Sequence, residues 1–370
     1  MTTINKNIFN AKKDDYSIPS LFLGQEPGLF DTIHNHHPKI KEMVDRIKSL
    51  DWSVKLFGDS FVSCNQEFKT CPKDIYEAQI RTLAWQWEAD SIAARSIIGM
   101  TSSFISSSAL FQAYSLIQNS EVTHSETYSE IVRMSFDKPD EVLSEVLSIQ
   151  QAFKRSETIT EVFAKAYDTN HKLALGLVER NQETYNDVFM FVVAMNILET
   201  LQFPGSFLVS FAVSEAGWFQ PIGSALQKIN QDEVETHAKL GRIVLDYELS
   251  TEYGIMAFNQ CRDKISKIFH EVIESEMAWN KDLFSNGRHI PGLNEEICNN
   301  YLLYLAKPLK EYFYIDCKYE MPKKNPVPWV NDWINVDKFQ AAAQEERPIQ
   351  YLLNSLVKDV DDKPIEIDLG

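Results

Sequence analysis

Glycine and proline are scarce in this chain, 13 and 14 in 370 residues, and most of them gather near 18–28, 204–223, 286–292 and 322–328. Long intervals without breakers lie between, and alternating strand patterns with Asn-Gly or Asp-Gly turns are scarce. In residues 75–98 (IYEAQIRTLAWQWEADSIAARSII), Ile80, Leu83, Trp87 and Ile92 fall near one helical face. Segments 104–134, 140–168, 184–211, 224–250, 252–284 and 293–314 read the same way. The pattern predicts an all-α chain with several helices longer than 20 residues, which suits a bundle better than a compact orthogonal packing. No internal repeat is evident.

With 44% hydrophobic residues the chain can bury one large core, or at most two domains. A net charge of −17 leaves no basic excess to neutralise phosphates, which argues against direct nucleic-acid binding. The longest apolar run, Val188–Leu198, falls short of the ~18 residues of a membrane span and reads as a buried helix. The opening MTTINKNIFNAKKDDYS lacks the apolar core of a secretory leader. The five cysteines (Cys64, Cys71, Cys261, Cys298, Cys317) form no close pair, which reads as reduced thiols in a cytoplasmic protein. After Glu320 the composition turns proline-rich, then polar and acidic. The expected organisation is a helical domain over 1–335, with an N-terminal arm over 1–36, and a flexible tail over 336–370. In that tail Tyr351-Leu352-Leu353 and Leu356-Val357 have no core to enter, as in a peptide that folds onto a partner.

Two segments pair a carboxylate with an imidazole: Glu121-x-x-His124, with Tyr128 one turn further on, and Glu233-x-x-x-His237. Residues three or four apart are neighbours on a helix face. Carboxylate oxygen and imidazole nitrogen suit iron and manganese. A four-helix bundle builds a carboxylate-bridged dinuclear site from two such pairs and one carboxylate on each of two other helices. Asp90, in WEADSIAARS, and Glu199, in FMFVVAMNILETLQF, are available for those roles. Glu199 interrupts a strongly apolar helix, where a charge is costly without a metal or an ion partner. Asp90 taken alone, with Arg95 nearby, reads as a solvated ion pair; its weight comes from the other three segments. A single Glu–His pair arises readily by chance, but two in this order around a buried Glu are far more telling. His34, His36 and His37, ahead of Pro38 at a helix start, read as an exposed cap region, and His171, His270 and His289 show no partner pattern.

As a spaced set over nearly the whole chain, these residues resemble the small, radical-generating β subunit of class I ribonucleotide reductase. Asp90, then Glu121-x-x-His124-x-x-x-Tyr128, then Glu199, then Asp232-Glu233 with His237, follow that family's order. LETLQFPGSF looks like the family's helix, and PVPWVNDWINVDKFQAAAQEERPIQYLL with the later DVDD looks like its trailing segment. LFLGQEPGLFD and PGLN (291–294) are similar to phage and bacterial members. The resemblance implies a ferritin-like bundle holding two iron ions and a tyrosyl radical on Tyr128. Two manganese ions, activated by a helper flavoprotein, would use much the same ligands: Asp90, Glu121, His124, Glu199, Glu233 and His237. Phe203, Phe207 and Ile229 would line the radical pocket. Trp52 would relay the radical, linked through Asp232 to His124, and Tyr351 would carry it across the interface. The implied partners are a second copy of the chain and a separate large subunit that binds the tail and reduces ribonucleotides to deoxyribonucleotides. This chain shows no Gly-rich phosphate loop, in keeping with such a division of labour.

One departure stands out. The family usually has Glu-x-x-His in its second pair, whereas Glu233 and His237 are four apart with Val at 234. Spacing from Glu199 favours Glu233 as the ligand and leaves Glu235 solvated; a local helix bulge is the feature that could alter that choice. A di-iron oxidase or monooxygenase of the same bundle type is the competing enzyme reading, and a ferritin-like iron store the non-enzymatic one. Neither needs Tyr128 or Tyr351.

Overall fold

The computed structural model describes residues 20–24 and 30–335; the expected tail, with Tyr351, lies outside the described residues. The helices are α1 (Pro38–Ser49), α2 (Cys64–Thr70), α3 (Lys73–Thr101), α4 (Ser108–Ser135), α5 (Pro139–Val146), α6 (Gln150–Ala174) and α7 (Gln182–Ile197). They continue as α8 (Phe203–Glu215), α9 (Gln220–Asp232), α10 (Lys239–Glu248), α11 (Glu252–Leu283), α12 (Glu295–Tyr312) and a short α13 (Val330–Ile334). Among the described residues there is no strand, and β pairing is limited to one antiparallel bridge between Phe22 and Ile105.

Local chemistry sets the helix starts. Ser107, Asn181, Thr251 and Asn294 each accept a hydrogen bond from a backbone N–H in the first turn of α4, α7, α11 and α12. Each satisfies one of the donors that a helix start leaves without an internal partner. Pro38 opens α1, whose Ile40, Met43, Val44 and Ile47 make one buried stripe. A side chain at Gly254 would collide with the Glu248 carbonyl, so the tight passage from α10 into α11 requires glycine there.

The core is built around one helix. α7 and α8 are joined by a wider π-helical turn, Leu198–Gln202. The combined Gln182–Glu215 is long and apolar enough to cross a membrane by length and composition, yet 89% of its most apolar window is buried inside the protein. α6, α10 and α11 pack around α7; α3 packs against α4, α6 and α8. The run Val188–Leu198, read from sequence as a buried helix, lies within this element.

Two expectations need correction. Residues 140–168 form two helices, α5 and α6, because their buried faces are out of register. Val142 and Val146 would project the stripe to 153, but Phe153 is exposed and Ala152 is buried. The histidines before α1 are not uniformly exposed. His37 is buried, edge-on to Tyr247 with ring centroids 5.2 Å apart, because its ring closes the gap between the start of α1 and the end of α10.

Candidate dinuclear metal centre

Four stretches of helix converge at mid-bundle. α3 brings Asp90; α4 brings Glu121, His124 and Tyr128. The π-turn between α7 and α8 brings Glu199, and a second π-turn, Glu233–Ala238 between α9 and α10, brings Glu233 and His237. The two π-turns pack against each other. The first has a visible cause. Pro204 has no N–H to give, and its ring would strike the Thr200 carbonyl in an ordinary helix. The backbone widens instead, and the Phe203 N–H bonds the Leu198 carbonyl five residues back. In the second, the Thr236 hydroxyl donates to the Asp232 carbonyl at 2.6 Å, competing with the backbone for that acceptor.

The ligand-type atoms form two overlapping groups. Asp90, Glu121, His124 and Glu233 make one; Glu121, Glu199, Glu233 and His237 make the other. Within each group the atoms lie within 4.8 Å of one another. Glu121 and Glu233 belong to both, as bridging carboxylates must. His124 Nδ1 lies 3.1 Å from Glu233 and 3.5 Å from Glu121, and His237 Nδ1 lies 2.7 Å from Glu233 and 3.2 Å from Glu121. The structure therefore brings together all six residues singled out in the sequence, including the pair with the unusual spacing. Asp90 is not a solvated ion-pair partner of Arg95 but fully buried. Glu235 points away, 2.7 Å from Lys239 and 3.5 Å from Arg46.

The electrostatics are those of a cation site. Both oxygens of Asp90, Glu121 and Glu199, and one of Glu233, are buried and take no hydrogen bond from outside the cluster and Tyr128. Burial, then the Glu121 charge, pushes the Asp90 pKa well above the carboxylate range; burial, then Glu233, does the same to Glu199. Burial also opposes ionisation of Glu233, but His237 and His124 outweigh it and hold that carboxyl below its usual range. Burial disfavours the charged form of His237, yet Glu233 and Glu121 prevail and its pKa is pushed up to about 10. Four buried carboxylates around two imidazoles, with oxygen and nitrogen donors only, fit a pair of hard or borderline divalent ions.

The surroundings continue the pattern. His124 Nε2 lies 3.1 Å from Asp232 Oδ2, and the Trp52 indole N–H donates to that same oxygen at 2.6 Å. The Trp52 and His124 rings are stacked with centroids 6.1 Å apart. Tyr128 is fully buried, with its hydroxyl facing the Asp90 carboxylate. Burial, then the Asp90 charge, pushes its pKa well above that of a free phenol. Phe203, Phe207 and Ile229 are fully buried, and the Phe203 and Phe207 rings stack at 5.9 Å. Sequence reasoning missed a buried ion pair, Arg155 with Glu276, beside the first π-turn. Its partners are 121 residues apart, so no local spacing signals it.

Comparison with known proteins agrees with this architecture. The family model for the ribonucleotide reductase small chain matches residues 30–326. The chain is 26% identical to the ribonucleoside-diphosphate reductase subunit beta of Enterobacteria phage T4, covering 96% of this chain and 97% of that protein. It is 25% identical to the subunit beta of Buchnera aphidicola subsp. Schizaphis graminum, covering 95% and 96%. Its fold is similar to the ribonucleotide reductase R2 subunit from Clostridium botulinum, with a TM-score of 0.76, 17% identity and coverage of 90% and 99%. It is also similar to the dimanganese(II)-NrdF of Streptococcus sanguinis, with a TM-score of 0.61, 13% identity and coverage of 83% and 99%. The oxidase reading is not favoured by these matches. With a ferritin-like helical bundle and a family match spanning most of its length, the chain belongs to the ribonucleotide reductase small-chain family.

Proposed function

We propose that this chain generates and stores a radical on Tyr128 and passes it to a separate large subunit, where ribonucleotides are reduced. The observation that carries this reading is the pair of overlapping ligand groups sharing Glu121 and Glu233, one helical turn from a buried tyrosine. Asp90 and His124 would hold one ion and Glu199 and His237 the other, with Glu121 and Glu233 shared between them. Iron is the first choice of metal; the same donors accept manganese. When bound, the metal pair supplies the oxidising equivalent, drawn from O2, that removes one electron and one proton from Tyr128.

The protein's own part is to hold and shield. Asp232 accepts from His124 Nε2 and so leaves Nδ1 free to face the ligand cluster, which fixes ring and tautomer together. The buried phenyl rings of Phe203 and Phe207 and the Ile229 side chain keep water and reductants from Tyr128. Trp52, joined to the centre through Asp232, starts the outward path. Tyr351, in the tail, receives the radical at the contact with the large subunit. The family resemblance implies a homodimer, and the five free cysteines suit a reducing cytoplasm.

The test is electron paramagnetic resonance after anaerobic Fe(II) loading and exposure to O2. The expected result is a tyrosyl signal that disappears in Tyr128→Phe while metal uptake persists. Trp52→Phe should keep the signal and the metal but lose turnover with the large subunit. A Tyr128→Phe protein that retains both signal and turnover would overturn the assignment.

A further inference from the structure

Apart from a contact with its fellow ligand Glu233, the Glu199 oxygens take no hydrogen bond among the described residues. Its aim into the cluster must therefore come from its backbone, the π-turn Leu198–Gln202. That turn is gripped at its C-terminal end by groups that coordinate nothing. Arg155, on α6, donates from Nη2 to the Gln202 carbonyl at 2.7 Å. The same guanidinium forms a two-pronged pair with Glu276 on α11, Nε to Oε1 at 2.5 Å and Nη2 to Oε2 at 2.7 Å. The Gln202 side-chain amide returns the contact, donating to the Arg155 carbonyl and to Glu276 Oε1, each at 3.0 Å. Trp85 on α3 lies under the guanidinium, 3.7 Å from its ring centroid, and Trp279 on α11 lies 5.1 Å away. The Trp85 indole N–H is anchored on Ser156 at 3.0 Å.

A buried ion pair is a costly way to stabilise a fold, and apolar residues of similar volume often do as well. An arginine fork offers something they cannot: directional donors that fix one backbone carbonyl. The Gln202 carbonyl lies three residues from Glu199, inside the same widened turn. We propose that Arg155, Glu276 and Gln202 form a clamp that sets the geometry of this π-turn and thereby the aim of Glu199. They act as positioning residues for the ion held by Glu199 and His237, and not for the ion held by Asp90 and His124. This rests on the ligand assignment made above.

The test is a titration of the metal-free full-length protein with Mn(II) alone, followed by equilibrium dialysis and electron paramagnetic resonance. Arg155→Lys keeps the charge opposite Glu276 and loses the fork. Arg155→Met combined with Glu276→Met replaces the pair by apolar side chains of similar volume, removes the donor to the Gln202 carbonyl, and is the decisive variant where Arg155→Lys does not fold. Glu199→Ala provides the reference for loss of one ion. The expected result is that the second Mn(II) weakens about tenfold to a hundredfold, the usual effect of removing support behind a ligand. The first stays unchanged, and an uncoupled mononuclear signal, as in Glu199→Ala, replaces the coupled-pair signal of the wild type. Unchanged affinities in the folded variant, with or without a lowered melting temperature, would overturn the clamp. So would equal weakening of both ions. A wild-type protein that binds fewer than two ions would instead overturn the ligand assignment itself.

Discussion

His124 meets two kinds of neighbour through its two ring nitrogens: carboxylates that would share a cation on one side, and Asp232 with Trp52 on the other. Without a cation, protons do the balancing. The pKa values of His124, His237, Asp90 and Glu199 are all raised, that of His237 to about 10, so each group holds a proton more firmly than in water and a metal pair must displace it. Metal affinity should therefore fall as pH falls, and loading at pH 7 should release protons, that of His237 among them. Calorimetry in buffers of different ionisation enthalpy measures that number; binding without proton release would contradict the protonation states described here. The residue types were legible in the sequence because Glu and His three or four apart on a helix share a face. The state of Asp90 was not. Its own segment offers Arg95 as a partner, and only the packing of α4 against α3, with Glu121 and Glu233 gathered beside Asp90, takes it out of water.

At the scale of the element, the two π-turns do what regular helices would not. Each takes up an extra residue locally while the flanking helix keeps its own buried face. The turn at Glu233–Ala238 accounts for the spacing that departs from the family's usual Glu-x-x-His. Deletion of Glu235 should convert it to an ordinary α-helical turn and leave Glu233 and His237 three apart. The expected protein keeps its helical circular dichroism and still binds two ions, since both spacings share a face. Loss of the second ion on deletion would show that the bulge itself shapes the site. Pro204 made the first turn partly foreseeable, as a proline inside a helical pattern must disturb the turn before it. The second was marked only by the four-residue spacing of Glu233 and His237, because Thr236 is an ordinary helix residue until its hydroxyl takes the Asp232 carbonyl. The break between α5 and α6 escaped for a related reason: 140–168 is helical throughout in spacing, and only the surface it must cover decides where its stripe changes register.

For the whole molecule, the centre couples metal to stability. A ligand that binds only the folded chain stabilises it by about 2.7 kcal/mol at a hundredfold excess over Kd. For a chain of this size that is roughly 4 °C in melting temperature per ion. The sign of the pH effect follows from His237. Its folded pKa, about 10, lies above its ordinary 6.5, so its contribution to the metal-free fold is complete below pH 6.5 and fades as pH rises toward 10. Burial of Asp90 and Glu199 acts in the same direction, since each resists ionisation more in the folded state than in the unfolded one. The melting temperatures of loaded and metal-free protein should thus diverge as pH rises from 6.5, which thermal scans with and without a chelator will show; a gap that narrows would contradict this account. By itself the sequence determined the helical class, the long buried central helix and the types of residue that would gather at mid-bundle, because periodicity and scarce breakers are local properties. Only the tertiary structure decided which carboxylates are shared, how the four-residue spacing is absorbed, and that Arg155 meets Glu276 behind the site. Those outcomes depend on contacts between helices far apart in the chain, where desolvation and packing overrule what any single segment prefers.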